Sequence, residues 1–149
     1  MGYSDLLSKA EAAAKVVVDT LTFSATHTVN TGLDDDNLTV PCVICAAEDA
    51  GEEAPVESGN FWVTLQIQKV SNANDTSLAN HRADLAILVD KFMEPRETVE
   101  GYLSSAVSDF HVQGIRNRVP VRDRVKTEGG DLMIEGVRLD ILACASDIS

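Results

Sequence analysis

Residues 60–92 read N-FWVTLQIQKV-SNAN-DTSLANHRADLAILVDKF. Phe61, Val63, Leu65 and Ile67 alternate with Trp62, Thr64, Gln66 and Gln68, the two-residue period of a half-buried strand. Ser71-Asn72-Ala73-Asn74 carries turn chemistry, and Asp75, Thr76 or Ser77 can accept hydrogen bonds from the first N–H groups of a helix. Leu78, Leu85, Leu88, Val89 and Phe92 then recur at helical spacing, which leaves His81, Asp84, Asp90 and Lys91 mostly for the other face. A strand feeding such a helix buries a sheet face under a helix stripe, so this stretch predicts an α+β layer.

The flanking chain extends that layer. Leu6, Leu7, Ala10, Ala13, Ala14, Val17, Val18 and Leu21 form one stripe, predicting a helix from about residue 5 to about 21. Phe23 to Asn37 reads as a polar connection, and its run Asp34-Asp35-Asp36 lacks the spacing, turn glycine and distal glutamate of a calcium loop. Leu38 to Ala47 reads as a strand, with Pro41 marking an edge or a bulge. Glu48 to Gly59 is an acidic loop. Pro95 ends the helix of the central stretch. Val99, Tyr102, Leu103 and Ala106 allow a short helix that Gly101 weakens. Phe110 to Arg118 reads as a strand, Val119 to Asp131 as a second loop or a protruding hairpin, and Leu132 to Cys144 as the last strand. Leu132 and Ile134 fall in one register and Val137, Leu139 and Ile141 in the other, so a bulge at Glu135-Gly136 is expected to put all five on one face. The expected fold is a single domain over residues 1–149, with a mostly antiparallel four-stranded sheet and helices on one face.

A chain of 149 residues buries about two-thirds of its unfolded surface and needs no disulfide or metal staple. The three cysteines are an odd number, there is no secretory hydrophobic segment, and no apolar run is long enough to span a bilayer; a reduced, cytosolic setting fits these features. Cys42-Val43-Ile44-Cys45 has the spacing of a redox pair, but its β-branched centre and the preceding Pro41 make it strand sequence, with the two thiols on opposite faces. His27, His81 and His111 share no ligand spacing, and there is no phosphate loop or nucleophile elbow. No catalytic, metal or cofactor constellation is visible, and no enzymatic activity is expected. Trp62 is either half-buried under the chain's own loops or an interface anchor.

Charge is the strongest signal. The net charge of −12 repels nucleic acid and anionic membrane. From Val16 to Gln68 there is no Lys or Arg, while Glu48, Asp49, Glu52 and Glu53 lie among nine acids. Arg116, Arg118, Arg122, Arg124 and Lys126 place five of the twelve basic residues within eleven positions. This is either a solvated hairpin arm or an arm that meets something acidic, whether phosphate or the acidic loops of an identical neighbour. Opposite patches far apart on one subunit are satisfied head to tail, and such contacts make rings when they close.

The order of elements resembles that of the tail-terminator (tail-completion) proteins of tailed bacteriophages. The resemblance runs through the N-terminal helix, the strand Phe61 to Gln68, the helix His81 to Val89, the strand Val112-Gln113-Gly114-Ile115 and the long final strand after a variable loop. It implies a structural virion protein that forms a homo-oligomeric, hexameric ring. Such a ring caps the tail tube, ends its polymerisation and joins it to the head connector, with DNA only passing through the channel. The partners implied are the tail-tube protein and the head–tail connector, with no membrane and no cofactor, in the virion neck and in the host cytoplasm during assembly. A connector adaptor, a head-closure protein, a tail-tube subunit or, last, a small cytosolic enzyme using His81 or His111 are the alternatives. Arg116, Arg118, Arg122, Arg124, Lys126, Glu48, Asp49, Glu52, Glu53 and Trp62 are the candidate interface residues.

Overall fold

The alternating stretch after Asn60 forms the middle strand of one sheet. The computed structural model describes residues 3–24, 27–32, 41–49, 61–72, 75–127 and 130–145. Its elements in chain order are α1 (Tyr3–Asp19), β1 (Thr28–Thr31), β2 (Cys42–Asp49), β3 (Phe61–Asn72), α2 (Asp75–Phe92), α3 (Arg96–Ala106), β4 (Phe110–Thr127) and β5 (Gly130–Ala145). The sheet runs β1-β2-β3-β5-β4. The pairs β2–β3, β3–β5 and β4–β5 are antiparallel, and β1–β2 is parallel.

The architecture is therefore α+β, but the sheet is five-stranded and mixed rather than four-stranded and antiparallel. The extra strand lies in the expected polar connection. Thr28, Val29 and Thr31 are β-branched and Val29 packs partly on the core, enough for an edge strand of four residues. It is too short to show a periodicity.

One face of the sheet carries the main core. Val43 and Cys45 of β2, Val63, Leu65 and Ile67 of β3, and Val137, Leu139 and Ile141 of β5 pack with buried residues of all three helices. From α1 these are Leu6, Ala10, Ala13, Ala14, Val17 and Val18, the expected stripe. From α3 they are Val99 and Leu103, so the weakened segment is a helix.

The bulge expected at Glu135-Gly136 is absent; β5 pairs β3 without interruption from Leu132 to Ala143. The two apolar registers of β5 serve two faces. Leu132 and Ile134 pack with Cys42, Ile44, Ala46 and Val70 in a second cluster on the other side of the sheet. The register shifts lie in β4 instead, between Val112 and Gly114 and between Arg116 and Val119, where Asn117 takes a left-handed φ of 55°. Pro41 marks neither an edge nor a bulge. It precedes the first paired residue of β2, which lies between β1 and β3. Ser71 and Asn72 extend β3 rather than turning, and β4 continues through Thr127, so most of the expected second loop is a hairpin. The stretch 34–36, most of the acidic loop and the tail after Ala145 lie outside the described residues.

Helix α2 departs most from expectation. Leu88 and Phe92 are buried, but so are His81 and Asp84, at 1% and 2% exposure. Positions 81, 84, 88 and 92 also step by three and four, and polar residues below accept this stripe. The carboxy end of α2 is tied down by Arg118, whose Nη1 donates to the Phe92 carbonyl at 3.1 Å and to that of Glu94. These are carbonyls that a helix end leaves without partners, and a guanidinium there also suits the helix dipole.

Candidate functional site

Beyond Ile67 the core-facing side of β3 turns polar, with Lys69 at 2% and Ser71 at 3% exposure. Lys69 Nζ donates to Ser71 Oγ. Glu135 of β5 stands opposite Lys69 in register. Helix α2 lowers His81 and Asp84 onto this floor, and the segment after α1 supplies Ser24 and His27. Asp84 accepts from the Ser24 amide at 2.8 Å and from the Ser24 hydroxyl at 2.7 Å, with His27 Nε2 3.8 Å away. His81 Nε2 lies 3.2 Å from Glu135 Oε1, and Arg122 Nε donates to Glu135 Oε2 at 3.2 Å. The result is a buried ionisable network that reaches the surface at Glu135 and Arg122.

An ionised Glu135 only accepts, so the His81 proton sits on Nε2; Nδ1 has no partner among the described residues. Burial, and then the Lys69 charge, hold the His81 pKa below its ordinary value against the hydrogen bond and charge of Glu135 and the charge of Asp84. Burial likewise lowers Lys69, opposed by Asp84 and Cys42. The sign for stability follows. An unfolded His81 takes up its proton below about pH 6.5, while the folded one resists, so stability falls with pH through that window. His81→Gln, which still donates to Glu135, is expected to flatten the decline between pH 7 and pH 5 by up to about 1.4 kcal/mol per unit. Urea unfolding at several pH values checks this; superimposable slopes for the two proteins would remove His81 from the linkage.

Outside Glu135, α2 and the β4–β5 hairpin enclose a groove of about 860 Å³. Leu85, Ala86, Val89, Pro120, Val121 and Met133 make it apolar, and Arg82, Asp90 and Arg122 stand with Glu135 as its charged residues. Leu85 and Val89, expected in the core stripe, are only half-buried and face this space.

The basic arm is partly spoken for. The Arg116 guanidinium stacks on Trp62 at 3.7 Å from the ring centroid and lies 3.6 Å from Asp140, which also accepts from Thr64 and Asn117. Trp62 is thus half-buried beneath its own chain's arginine. Arg118 holds α2, and Arg122, with 84% of its side chain exposed, pairs with Glu135. Arg124 and Lys126 pair in register with Met133 and Asp131. Glu48 is exposed near the end of β2, Asp49 closes that strand, and Glu52 and Glu53 lie outside the described residues. The asparagine and aspartate around Arg116 had no sequence signal, because cross-strand register alone brings them together.

Cys42 and Cys45 are free thiols on opposite faces, as expected. Burial pushes Cys45 up to about 12 and raises Cys42, so neither is a thiolate near neutral pH. No group of three or more His, Cys, Asp or Glu side chains that could hold a metal occurs among the described residues, and no described helix is long and apolar enough to cross a membrane. No protein-family model matches the chain, and no curated protein matches it either.

Proposed function

We propose that this protein is a structural assembly subunit that joins copies of itself head to tail into a closed ring, in the manner of the phage tail terminators its element order resembles. One observation carries this reading. The sheet order puts the basic strand β4 at one edge, and the acid-flanked strands β1 and β2 at the opposite edge. Four inter-strand steps of about 4.8 Å separate the edges by about 19 Å, well beyond a screening length of about 8–10 Å. The two patches do not neutralise each other within a subunit, whereas neighbours placed edge to edge do so. In this role the ring caps a tail tube, meets a connector on its other side and lets DNA pass along an acidic lumen without sticking.

The test is the absolute mass by light scattering at low and high salt. The expected result is a closed oligomer, six copies in this reading, that loosens with salt. Arg124→Glu with Lys126→Glu, chosen because Arg116 and Arg118 hold the fold, is expected to give monomer at moderate salt. An unchanged mass in the double variant counts against the charge-matched edge. A tail-tube subunit would instead grow into filaments.

A second reading, a small enzyme acting through His81, is favoured by the lowered pKa of that histidine beside Asp84. The His81 side chain is fully buried, however, and only Glu135 of the network lines the groove.

A further inference from the structure

The groove between α2 and the β4–β5 hairpin adjoins the basic edge, and its chemistry is specific. Its floor of Leu85, Val89, Val121 and Met133 calls for an apolar insertion. Its exposed Arg82 and Arg122 come from α2 and β4, the two opposite walls. Of the two carboxylates there, Glu135 is already engaged by both His81 and Arg122. The unsatisfied preference is therefore for an anionic segment with small apolar side chains. The chain itself contains one: residues 48–57 read Glu-Asp-Ala-Gly-Glu-Glu-Ala-Pro-Val-Glu, five acids among alanines, a proline and a valine. That segment follows β2, on the far side of β3 and β5 from the groove.

We propose that the groove receives the acidic segment 48–57 of a second copy of this chain. The Ala, Pro and Val side chains fill the apolar floor, and the carboxylates face Arg82 and Arg122. This rests on the head-to-tail reading above and gives its contact an address. A peripheral ion pair alone contributes little, because exposed pairs are worth about 0–1 kcal/mol. An apolar insertion flanked by matched charges supplies both adhesion and register, as interface cores with polar rims do.

The experiment places a benzophenone amino acid at Asp90, an exposed groove residue whose loss removes a negative charge from the site. Unlabelled protein carrying the photoprobe is mixed with ¹⁵N-labelled protein lacking it, allowed to exchange at high salt, returned to low salt and irradiated. The expected adduct joins the unlabelled probe peptide to a labelled peptide containing residues 48–57. Its yield falls about tenfold when Glu52 and Glu53 of the labelled copy are changed to lysine. Adducts to other peptides, adducts confined to one copy, or no adduct from a protein that is oligomeric by mass overturn the groove assignment and leave the ring reading standing. A protein that is monomeric at every salt overturns both. Ala86→Trp, which fills the groove from an exposed helix position, is the second variant. It is expected to lower the oligomer fraction while its helix signal stays unchanged, and full assembly of that variant also overturns the assignment.

Discussion

Gly136→Ala is expected to abolish the folded state. Gly136 lies in β5 opposite Gln68, in the middle of the β3–β5 pairing on which the sheet is built. A Cβ there would collide with the Ile67 carbonyl oxygen and would stand 2.8 Å from the Ile67 carbonyl carbon and 2.9 Å from Gln68 Cα. These are backbone atoms of the central strand, so no side-chain rotation relieves the contact. Relief requires the two strands to separate, with loss of ladder hydrogen bonds in a fully buried region. The cost is expected to exceed about 4 kcal/mol, which is a large share of an ordinary domain stability of about 5–15 kcal/mol. Gly101→Ala is the matched control. Gly101 is exposed in α3 and an added Cβ meets nothing within 4 Å, so alanine there is expected to stabilise by about 0.5–1 kcal/mol. Urea unfolding of the two variants decides the matter; a Gly136→Ala protein within about 1 kcal/mol of the parent would show that the close approach is not a constraint.

The same glycine explains why the sequence misleads at this point. An isolated Gly between two apolar registers fits either a bulge or a close backbone approach. The choice turns on whether the second sheet face is also apolar, and that is decided by Cys42, Ile44 and Val70, far away in the chain. Where one local pattern was enough, the prediction held: the α1 stripe, the alternation of Phe61 to Ile67, and the opposite faces of Cys42 and Cys45. Where a pairing partner sets the outcome, it did not. β1 is a strand because β2 lies beside it. The Asp140 hub that gathers Thr64, Asn117 and Arg116 exists only through register. His81 and Asp84 were placed outside because charged residues on a helix usually belong there. Their burial is made tolerable by Lys69 and Glu135, which lie on two different strands. The groove was invisible for the same reason, since its walls come from three elements.

Asp84→Ala is expected to cost about 3–5 kcal/mol, the usual consequence of removing one partner from a buried charged group. It strips the Ser24 amide and hydroxyl of their acceptor and removes the carboxylate that offsets the Lys69 charge. Lys69→Met behaves differently, because it removes the buried charge that needs compensation and replaces it with an apolar chain of similar length. Asp84 keeps its two hydrogen bonds from Ser24, so the expected change is within about 1 kcal/mol of the parent, and a gain is in keeping with other buried ion pairs. The double variant separates the two causes. If uncompensated Lys69 dominates the loss, Lys69→Met recovers most of it in the Asp84→Ala background, a coupling of about 2 kcal/mol in a double-mutant cycle. If the orphaned Ser24 donors dominate, the double variant stays as unstable as Asp84→Ala alone. The pH dependence gives an independent readout. A lysine whose folded pKa is lowered contributes fully above about pH 10.5 and loses that contribution as pH falls through its folded value. Lys69→Met should therefore remove part of the decline in stability from alkaline toward neutral pH, in the direction opposite to Cys45, whose folded thiol stays protonated up to about 12 and costs stability as pH rises above 9.0. A parent and a Lys69→Met variant with the same profile between those limits would mean that Lys69 is not desolvated in the way its burial requires.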